Sequence, residues 1–252
     1  MNIEQKEQRK DVQDPSQGPQ PKNFLQRLRT FVETQIDASF LQAEDDGSVD
    51  ITDQVNEHVL TEEKQKQIQK IEAVSDDICG LFDKVEMILV IEGSKPSYLH
   101  GFAVDINDPK MIKENNERMK QFEDILKKIG FLFVKLQRLS DASDAIQYYS
   151  YCIAKEKENL DTLVKARKTF DAKGVGLALG YPETAVQAFG ENNKEKNKVL
   201  EELNNTDIGK FNAFMPSEKH FLDDMRMTQR NMNIIKKVAP RLYRQVVSRV
   251  EQ

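Results

Sequence analysis

The chain has few of the residues on which thiol and metal chemistry depends. Its 252 residues include two cysteines and three histidines. The cysteines, Cys79 and Cys152, are too few for a disulfide framework, and their apolar neighbours predict buried, reduced thiols. A zinc site made of both cysteines with His100 and His220 would lack the paired ligand spacing that such sites normally show. We therefore expect no metal and no cofactor.

Long hydrophobic runs and familiar catalytic motifs are also missing. No stretch approaches the roughly eighteen apolar residues that a membrane-spanning helix needs, and the polar N-terminus does not resemble a signal peptide. The sequence has no GxSxG, no HExxH, no GxxxxGK[ST] and no GxGxxG after a predicted strand. These absences predict a cytoplasmic protein without membrane association, and argue against phosphate handling or zinc-dependent peptide hydrolysis.

Charge is distributed unevenly along the chain. The net charge is -5 and the isoelectric point is near 5.5, which argues against a dedicated nucleic-acid-binding protein. The segment Glu33 to Glu63 has ten carboxylates and no lysine or arginine, so it could be a solvated loop, a calcium site or a docking strip. An EF-hand alignment places Gln42 at the first ligand position, where aspartate is needed. The turn Asp45 to Gly47 is better interpreted as a hairpin turn.

The C-terminal end has the opposite sign, with seven basic residues against the single acidic residue Glu251. They are interpreted either as a solvated face with cations near helix C-termini, or as a docking surface for RNA phosphates or an acidic protein. The acidic segment of the same chain could be that partner, within one molecule or between two. The basic residues are Arg226, Arg230, Lys236, Lys237, Arg241, Arg244 and Arg249.

Composition and periodicity divide the chain into four parts. Residues 1–22 are polar and proline-rich, which predicts a disordered tail. Residues 23–85 are predicted to form a helical and acidic segment. Residues 86–172 are predicted to form a sheet unit, and residues 173–252 a helical C-terminal part.

The sheet unit is predicted to have the element order β-β-α-β-β-α. Ahead of it, a helix capped by Thr61 is expected to continue to Val85. The apolar run MILVI suits a strand buried on both faces, and a helix begins at Pro109 and ends at Gly130. This order predicts an α+β fold: a small, mainly antiparallel four-stranded sheet with helices on one face, plus the helical C-terminal part. The predicted strands are Met87–Ile91, Tyr98–Asp105, Phe131–Leu136 and Gln147–Ala154.

The most specific motif is the stretch from Gly174 to Phe189, GVGLALGYPETAVQAF. Gly180 is expected to end a helix in the left-handed conformation that glycine adopts without strain, and Pro182 to start the next one. The stretch is interpreted as a helix-turn-helix corner without a reactive group. In a second interpretation, the backbone N–H groups of Glu183 and Thr184 form an anion pocket, for which the Glu183 carboxylate would compete. The motif residues are Gly180, Tyr181, Pro182 and Phe189.

One set of side chains could act in acid–base chemistry. His100 and Asp105 lie on the second predicted strand, and Tyr149 and Tyr151 lie on the fourth. In a hydrolase or transferase, these side chains would converge in a cleft between the sheet and the helices, with shifted pKa values. Asp105 also belongs to a strand-to-helix turn in which Asp108 is expected to cap the next helix.

Three segments of the C-terminal third resemble a known family. They are Leu179 to Phe189 (LGYPETAVQAF), Phe214 to Ser217 (FMPS) and Pro240 to Tyr243 (PRLY). Together they resemble an uncharacterised family from archaea and uncultivated bacterial lineages with an LGYPxCCVxxF-like signature. Where that signature has adjacent cysteines, this chain has Thr184 and Ala185, which removes thiol and metal chemistry at that place. The resemblance implies no activity.

Together these observations predict a non-enzymatic binding or interaction protein with charge-segregated surfaces. Its expected partner is an acidic protein or a second copy of the chain. Two alternatives stay open: a hydrolase or transferase with the acid–base site above, and an RNA-binding protein that uses the basic C-terminal helices.

Overall fold

The structure is a computed structural model that describes residues 60–138, 145–188, 203, 206–214, 216–217 and 220–248. The predicted tail, nearly all of the acidic segment, Phe189 and Arg249 lie outside these ranges.

This part of the chain contains eight helices and three strands. A 3-10 turn at Gly209–Phe211 precedes the last two helices. In chain order, the elements are α1 (Glu62–Glu72), α2 (Leu81–Ile91), β1 (Ser97–Asp105), α3 (Pro109–Ile129), β2 (Leu132–Arg138), β3 (Ile146–Ala154), α4 (Lys157–Lys168), α5 (Ala172–Ala178), α6 (Glu183–Gln187), α7 (Phe221–Val238) and α8 (Pro240–Val247).

The helix predicted to follow Thr61 is divided into two. The Thr61 hydroxyl caps α1 by accepting a hydrogen bond from the Lys64 N–H (3.3 Å), as expected. The chain then turns, and α2 begins after Gly80, whose N–H donates to the Asp83 carboxylate (2.9 Å). Because this cap starts a new helix, α1 and α2 are separate elements of the core.

The predicted strand Met87–Ile91 is wrong, because this run is the C-terminal half of α2. Every residue of the run is buried. α2 contacts α1, α7, α8 and β1, so the core surrounds it on several sides. A short apolar run without polar alternation is compatible with a central strand and with a helix that is buried all round.

The sheet has the strand order β1-β3-β2, and both neighbouring pairs are antiparallel. Tyr98 of β1 and Phe133 of β2 both lie opposite Ile153 of β3. The α+β class is confirmed. The sheet has three strands within the described residues, and the first predicted strand, Met87–Ile91, is the end of α2 instead.

Helices cover both faces of the sheet, which corrects the expectation of one face. On the first face, Phe102 and Tyr151 pack against Phe122 of α3, with ring centroids 5.8 Å and 5.5 Å away. On the second face, Cys152 belongs to a buried cluster with Leu163 of α4. The end of β3 is buried at successive positions, so both of its faces need cover.

The C-terminal helices pack on α2. Ile235 of α7, with Leu242 and Val246 of α8, belongs to the same buried core as α2. Pro240 is the first residue of α8, a position where its missing N–H costs nothing. Across the described ranges, no helix combines the length and the apolar character that crossing a membrane requires.

Candidate functional site

The glycine-proline corner joins α5 to α6 and rests on the start of β1. Gly180 has a φ of +78°, the left-handed conformation expected at the end of a helix. A Cβ on Gly180 would lie 2.6 Å from Cδ of Pro96, so there is no room for a side chain where the two segments meet. Nearby, the Ser97 hydroxyl donates to the Ala178 carbonyl (2.6 Å). These contacts fix the corner against the sheet.

A cavity of about 580 Å³ opens beside this corner, and we call it the corner cavity. It lies between the end of α4, helices α5 and α6, and the loop at residues 212–214. Its volume is typical of small-molecule sites, and its walls are mostly apolar. Apolar wall residues include Phe170, Val175, Leu179, Ala185, Val186 and Phe214.

Tyr181 is the motif residue at the wall of the corner cavity. Its ring centroid lies 5.5 Å from that of Phe214, and Nζ of Lys95 lies 5.0 Å from the Tyr181 ring centroid. Burial, and then the negative charge of Glu86, raises the pKa of Tyr181 to about 12. The hydroxyl is therefore protonated at neutral pH and can donate a hydrogen bond.

Arg167, near the end of α4, is the charged residue at the wall of the corner cavity. Its Nη2 donates to the Ser150 hydroxyl (3.0 Å), whereas its Nε is buried without a hydrogen-bond partner. Sequence reasoning missed this residue, although a signal was present. Arg167 lies at helical spacing from Leu160 and Leu163, on the side of α4 that faces the core. A cation at a core-facing position of a helix indicates a partner that neutralises its charge.

The carboxylate of Asp224 lies beside the start of α6. The Thr184 hydroxyl donates to Oδ1 of Asp224 (2.5 Å), and the Ser217 N–H donates to Oδ2 (2.6 Å). Asp224 is 1% exposed. The hypothetical anion pocket at Glu183 and Thr184 therefore lies beside a buried negative charge, which disfavours an external anion there.

Of the predicted acid–base residues, His100 belongs to a hydrogen-bonded cluster between α2 and β1. Its Nδ1 lies 3.0 Å from Oδ1 of Asp83 and 2.9 Å from the Tyr98 hydroxyl. Burial alone would raise the pKa of Asp83, but the hydrogen bond and charge of His100, with the Tyr98 hydrogen bond, lower it below its ordinary value. The pattern of the sequence did not reveal Asp83, because it did not show that α2 crosses β1 at this point.

The other predicted acid–base residues form hydrogen bonds with different partners from those of His100. Tyr151 lies opposite His100 in the sheet register, but its hydroxyl donates to Glu123 of α3 (2.7 Å). Tyr149 forms its side-chain hydrogen bond within its own strand, and Asp105 stabilises the turn after β1. The rings of His100 and Tyr151 both pack against Phe122, but the polar atoms of the four side chains bond to different partners. None of the four lines the corner cavity.

Cys79 and Cys152 are both buried free cysteines. Burial raises the pKa of the Cys79 thiol and raises that of Cys152 to about 11, so both are protonated at neutral pH. His220, the fourth residue of the zinc site that the sequence argued against, is exposed and lies 3.8 Å from Asp223. Among the residues that the structure describes, no group of three or more His, Cys, Asp or Glu side chains is placed to hold a metal ion.

Six of the seven basic C-terminal residues lie within the described part of the chain, on α7 and α8. Arg226 is half-buried and forms an ion pair with Asp223 (3.0 Å). Nζ of Lys236 lies 5.7 Å from the ring centroid of Tyr243. The exposed members of the set are Arg230, Lys236, Lys237, Arg241 and Arg244.

Comparisons with known protein families, with curated proteins and with solved structures find no match to this chain. The resemblance at the glycine-proline corner stays a prediction. The geometry of the site therefore carries the functional argument.

Proposed function

We propose that this chain is a non-enzymatic binding protein that takes a small, mainly apolar molecule into the corner cavity. The observation that carries the proposal is the cavity itself, whose volume of about 580 Å³ and apolar walls suit such a ligand. The rigid contacts of Gly180 with Pro96 hold one side of the cavity in place. A pre-formed site of this kind loses little entropy when it binds.

The polar groups at the cavity wall favour binding over catalysis. Arg167 has a guanidinium, which only donates hydrogen bonds, the Tyr181 hydroxyl has its pKa raised to about 12, and Asn212 is a neutral amide. None of these groups is a nucleophile or a general base at neutral pH. The acid–base candidates His100 and Tyr151 make their hydrogen bonds elsewhere.

A tryptophan at Ala213 tests the proposal. Ala213 is exposed and lines the cavity, so Ala213→Trp fills the space from the surface without disturbing the core. We expect the full-length protein to bind the neutral dye Nile red saturably, with a rise in fluorescence, and Ala213→Trp to abolish this binding. The matched control is Ala73→Trp, an exposed position at the end of α1, which should bind the dye as the unmodified chain does. Equal binding by both variants, or no saturable binding at all, would contradict the proposal.

A second candidate function is docking of an acidic protein on the basic surface of α7 and α8. The observation that favours it is the charge of residues 225–248, which include six basic residues and no acidic one. An acidic protein is preferred over RNA because nucleic-acid-binding proteins usually have a basic footprint over the whole domain, whereas this chain has a net charge of -5 over its full length.

Charge reversal tests this second candidate. Poly-L-glutamate serves as the acidic polypeptide and poly-uridylate as the RNA. Changing Arg241 and Arg244 to glutamate should weaken poly-L-glutamate binding roughly tenfold at low salt, because two attractive contacts become repulsive. The control reverses two exposed lysines of α3, Lys113→Glu with Lys120→Glu, and should have a smaller effect. Tighter binding of poly-uridylate with a steep salt dependence would favour RNA, and salt-independent binding would exclude both partners.

A further inference from the structure

The guanidinium of Arg167 is incompletely satisfied in the structure. Its Nη2 has one neutral partner, the Ser150 hydroxyl at 3.0 Å, and its Nε is buried with none. Within the described residues, Arg167 forms no ion pair with a carboxylate. Arg167 is half-buried, but its Nε is a buried donor without a partner, and a guanidinium is shaped to hold a carboxylate through two parallel hydrogen bonds. The N–H donors of Arg167 that lack a partner are therefore suited to bind an anion at the wall of the corner cavity.

The positive charge at the wall of the corner cavity is enough to neutralise one negative charge on a ligand. Another cation at the corner, Lys95, already forms a buried ion pair with Glu86. Lys168 and Lys173 are exposed, and Lys173 donates to Gln187. A doubly charged phosphate would therefore keep an uncompensated charge in the cavity, whereas a carboxylate would not.

The rest of the wall is suited to the apolar part of a ligand. Val175, Leu179 and Val186 line the cavity and offer no charged group. Phe170 also lines it, is 81% exposed and has a φ of +55°. A bulky side chain is strained in this conformation, and strained residues are concentrated at sites that hold ligands. Phe170 at the rim gives the cavity an aromatic surface that a bound apolar chain would cover.

We propose that the corner cavity binds a small monocarboxylic acid with an apolar body. The carboxylate pairs with the guanidinium of Arg167, and the apolar body lies against Val175, Leu179 and Val186. The protonated hydroxyl of Tyr181 supplies a second donor. This inference rests on the proposed function, because it assigns a ligand class to the same cavity.

The test compares decanoate with its neutral counterpart decan-1-ol by isothermal titration calorimetry on the full-length protein. We expect decanoate to bind more tightly than decan-1-ol, with a stoichiometry of one. Arg167→Met should weaken decanoate binding roughly ten- to a hundredfold, the range for a lost hydrogen bond to a charged group, and should weaken decan-1-ol binding much less, because the alcohol carries no charge. Decyl phosphate should bind more weakly than decanoate at a pH where the phosphate is doubly charged.

The matched control is Lys168→Met, which removes the same charge from the next residue of α4. Lys168 is exposed and does not line the cavity, so decanoate binding should be unchanged. Equal loss in both variants would show an effect of net charge only, and would overturn the inference. Equal affinity for decanoate and decan-1-ol would overturn it too.

Nile red separates failure of this inference from failure of the proposed function. If Arg167→Met still binds Nile red and decanoate shows no preference over decan-1-ol, the cavity is an apolar site and the carboxylate assignment is wrong. If Ala213→Trp leaves the binding of Nile red and decanoate unaffected, the cavity is not the binding site and both proposals are wrong.

Discussion

Gly180→Ala is expected to lower the free energy of unfolding by about 2–5 kcal/mol. Two effects add. Holding a residue with a Cβ in the left-handed conformation costs about 1–2 kcal/mol. A Cβ at this position would also lie 2.6 Å from Cδ of Pro96, and overpacking of this kind costs about 1–3 kcal/mol. Urea denaturation followed by far-ultraviolet circular dichroism measures the change.

Gly93 provides a matched control for Gly180. Its φ is +76°, nearly the same as that of Gly180, but no atom lies within 4 Å of the position where its Cβ would be. Gly93→Ala should therefore show the conformational cost alone, about 1–2 kcal/mol. If the two variants lose the same stability, the contact with Pro96 is not what requires glycine at the corner.

Lys95→Met is expected to lower the free energy of unfolding by about 3 kcal/mol, as is typical when one partner of a buried ion pair is removed. The Lys95 side chain is 2% exposed, and that of its partner Glu86 is 18% exposed. The methionine would leave the Glu86 carboxylate without its cation in a place that water reaches poorly. It would also remove the cation that lies 5.0 Å from the Tyr181 ring centroid. Denaturant unfolding near neutral pH gives the measurement.

Two further variants show whether burial is the reason. Combining Lys95→Met with Glu86→Gln removes the unpaired charge and should recover about half of the lost stability. The pair Lys66–Glu62 on α1 is exposed, with side chains 65% and 81% accessible, so Lys66→Met should cost less than about 1 kcal/mol. A loss at Lys66 equal to that at Lys95 would contradict the explanation from burial.

The ion pair and the glycine contact act at the same place. Lys95 and Pro96 are consecutive residues in the turn before β1, and they contact Tyr181 and Gly180 of the corner. Changes at either position should therefore also alter the wall of the corner cavity. Nile red binding by the Lys95 and Gly180 variants should be compared with that of Gly93→Ala, which leaves these contacts intact.

Local signals in the sequence predicted several elements closely. α3 begins at Pro109 with the Asp108 cap and ends at Gly130, because a cap, a proline and a glycine each act through their nearest neighbours. The second and fourth predicted strands, now β1 and β3, agree with the structure to within a residue or two at each end. Capping residues, proline and glycine favour particular backbone geometries in any fold, so their positions predict where helices begin and end.

The run MILVI shows where local pattern fails. Because the run has no alternating polar residues, the sequence indicated that it is buried on all sides, and this is correct. Such burial occurs both in central strands and in enclosed helices, so the pattern does not distinguish them. The choice between them depends on α7 and α8, which pack on α2 from far along the chain. The two faces of the sheet are covered by α3 and α4, which adjoin the strands in the chain.

The sequence by itself determined the α+β class, the ends of α3 and the glycine at the corner, because each follows from short-range backbone geometry and from the spacing of apolar residues. Only the tertiary structure decided the number of strands, the separation of His100 from Asp105, and the cavity beside Tyr181. It also brought the cation of Arg167 to the wall of that cavity. Such juxtapositions join residues of different elements, and the energies that select them come from packing and desolvation between segments that are remote in the chain.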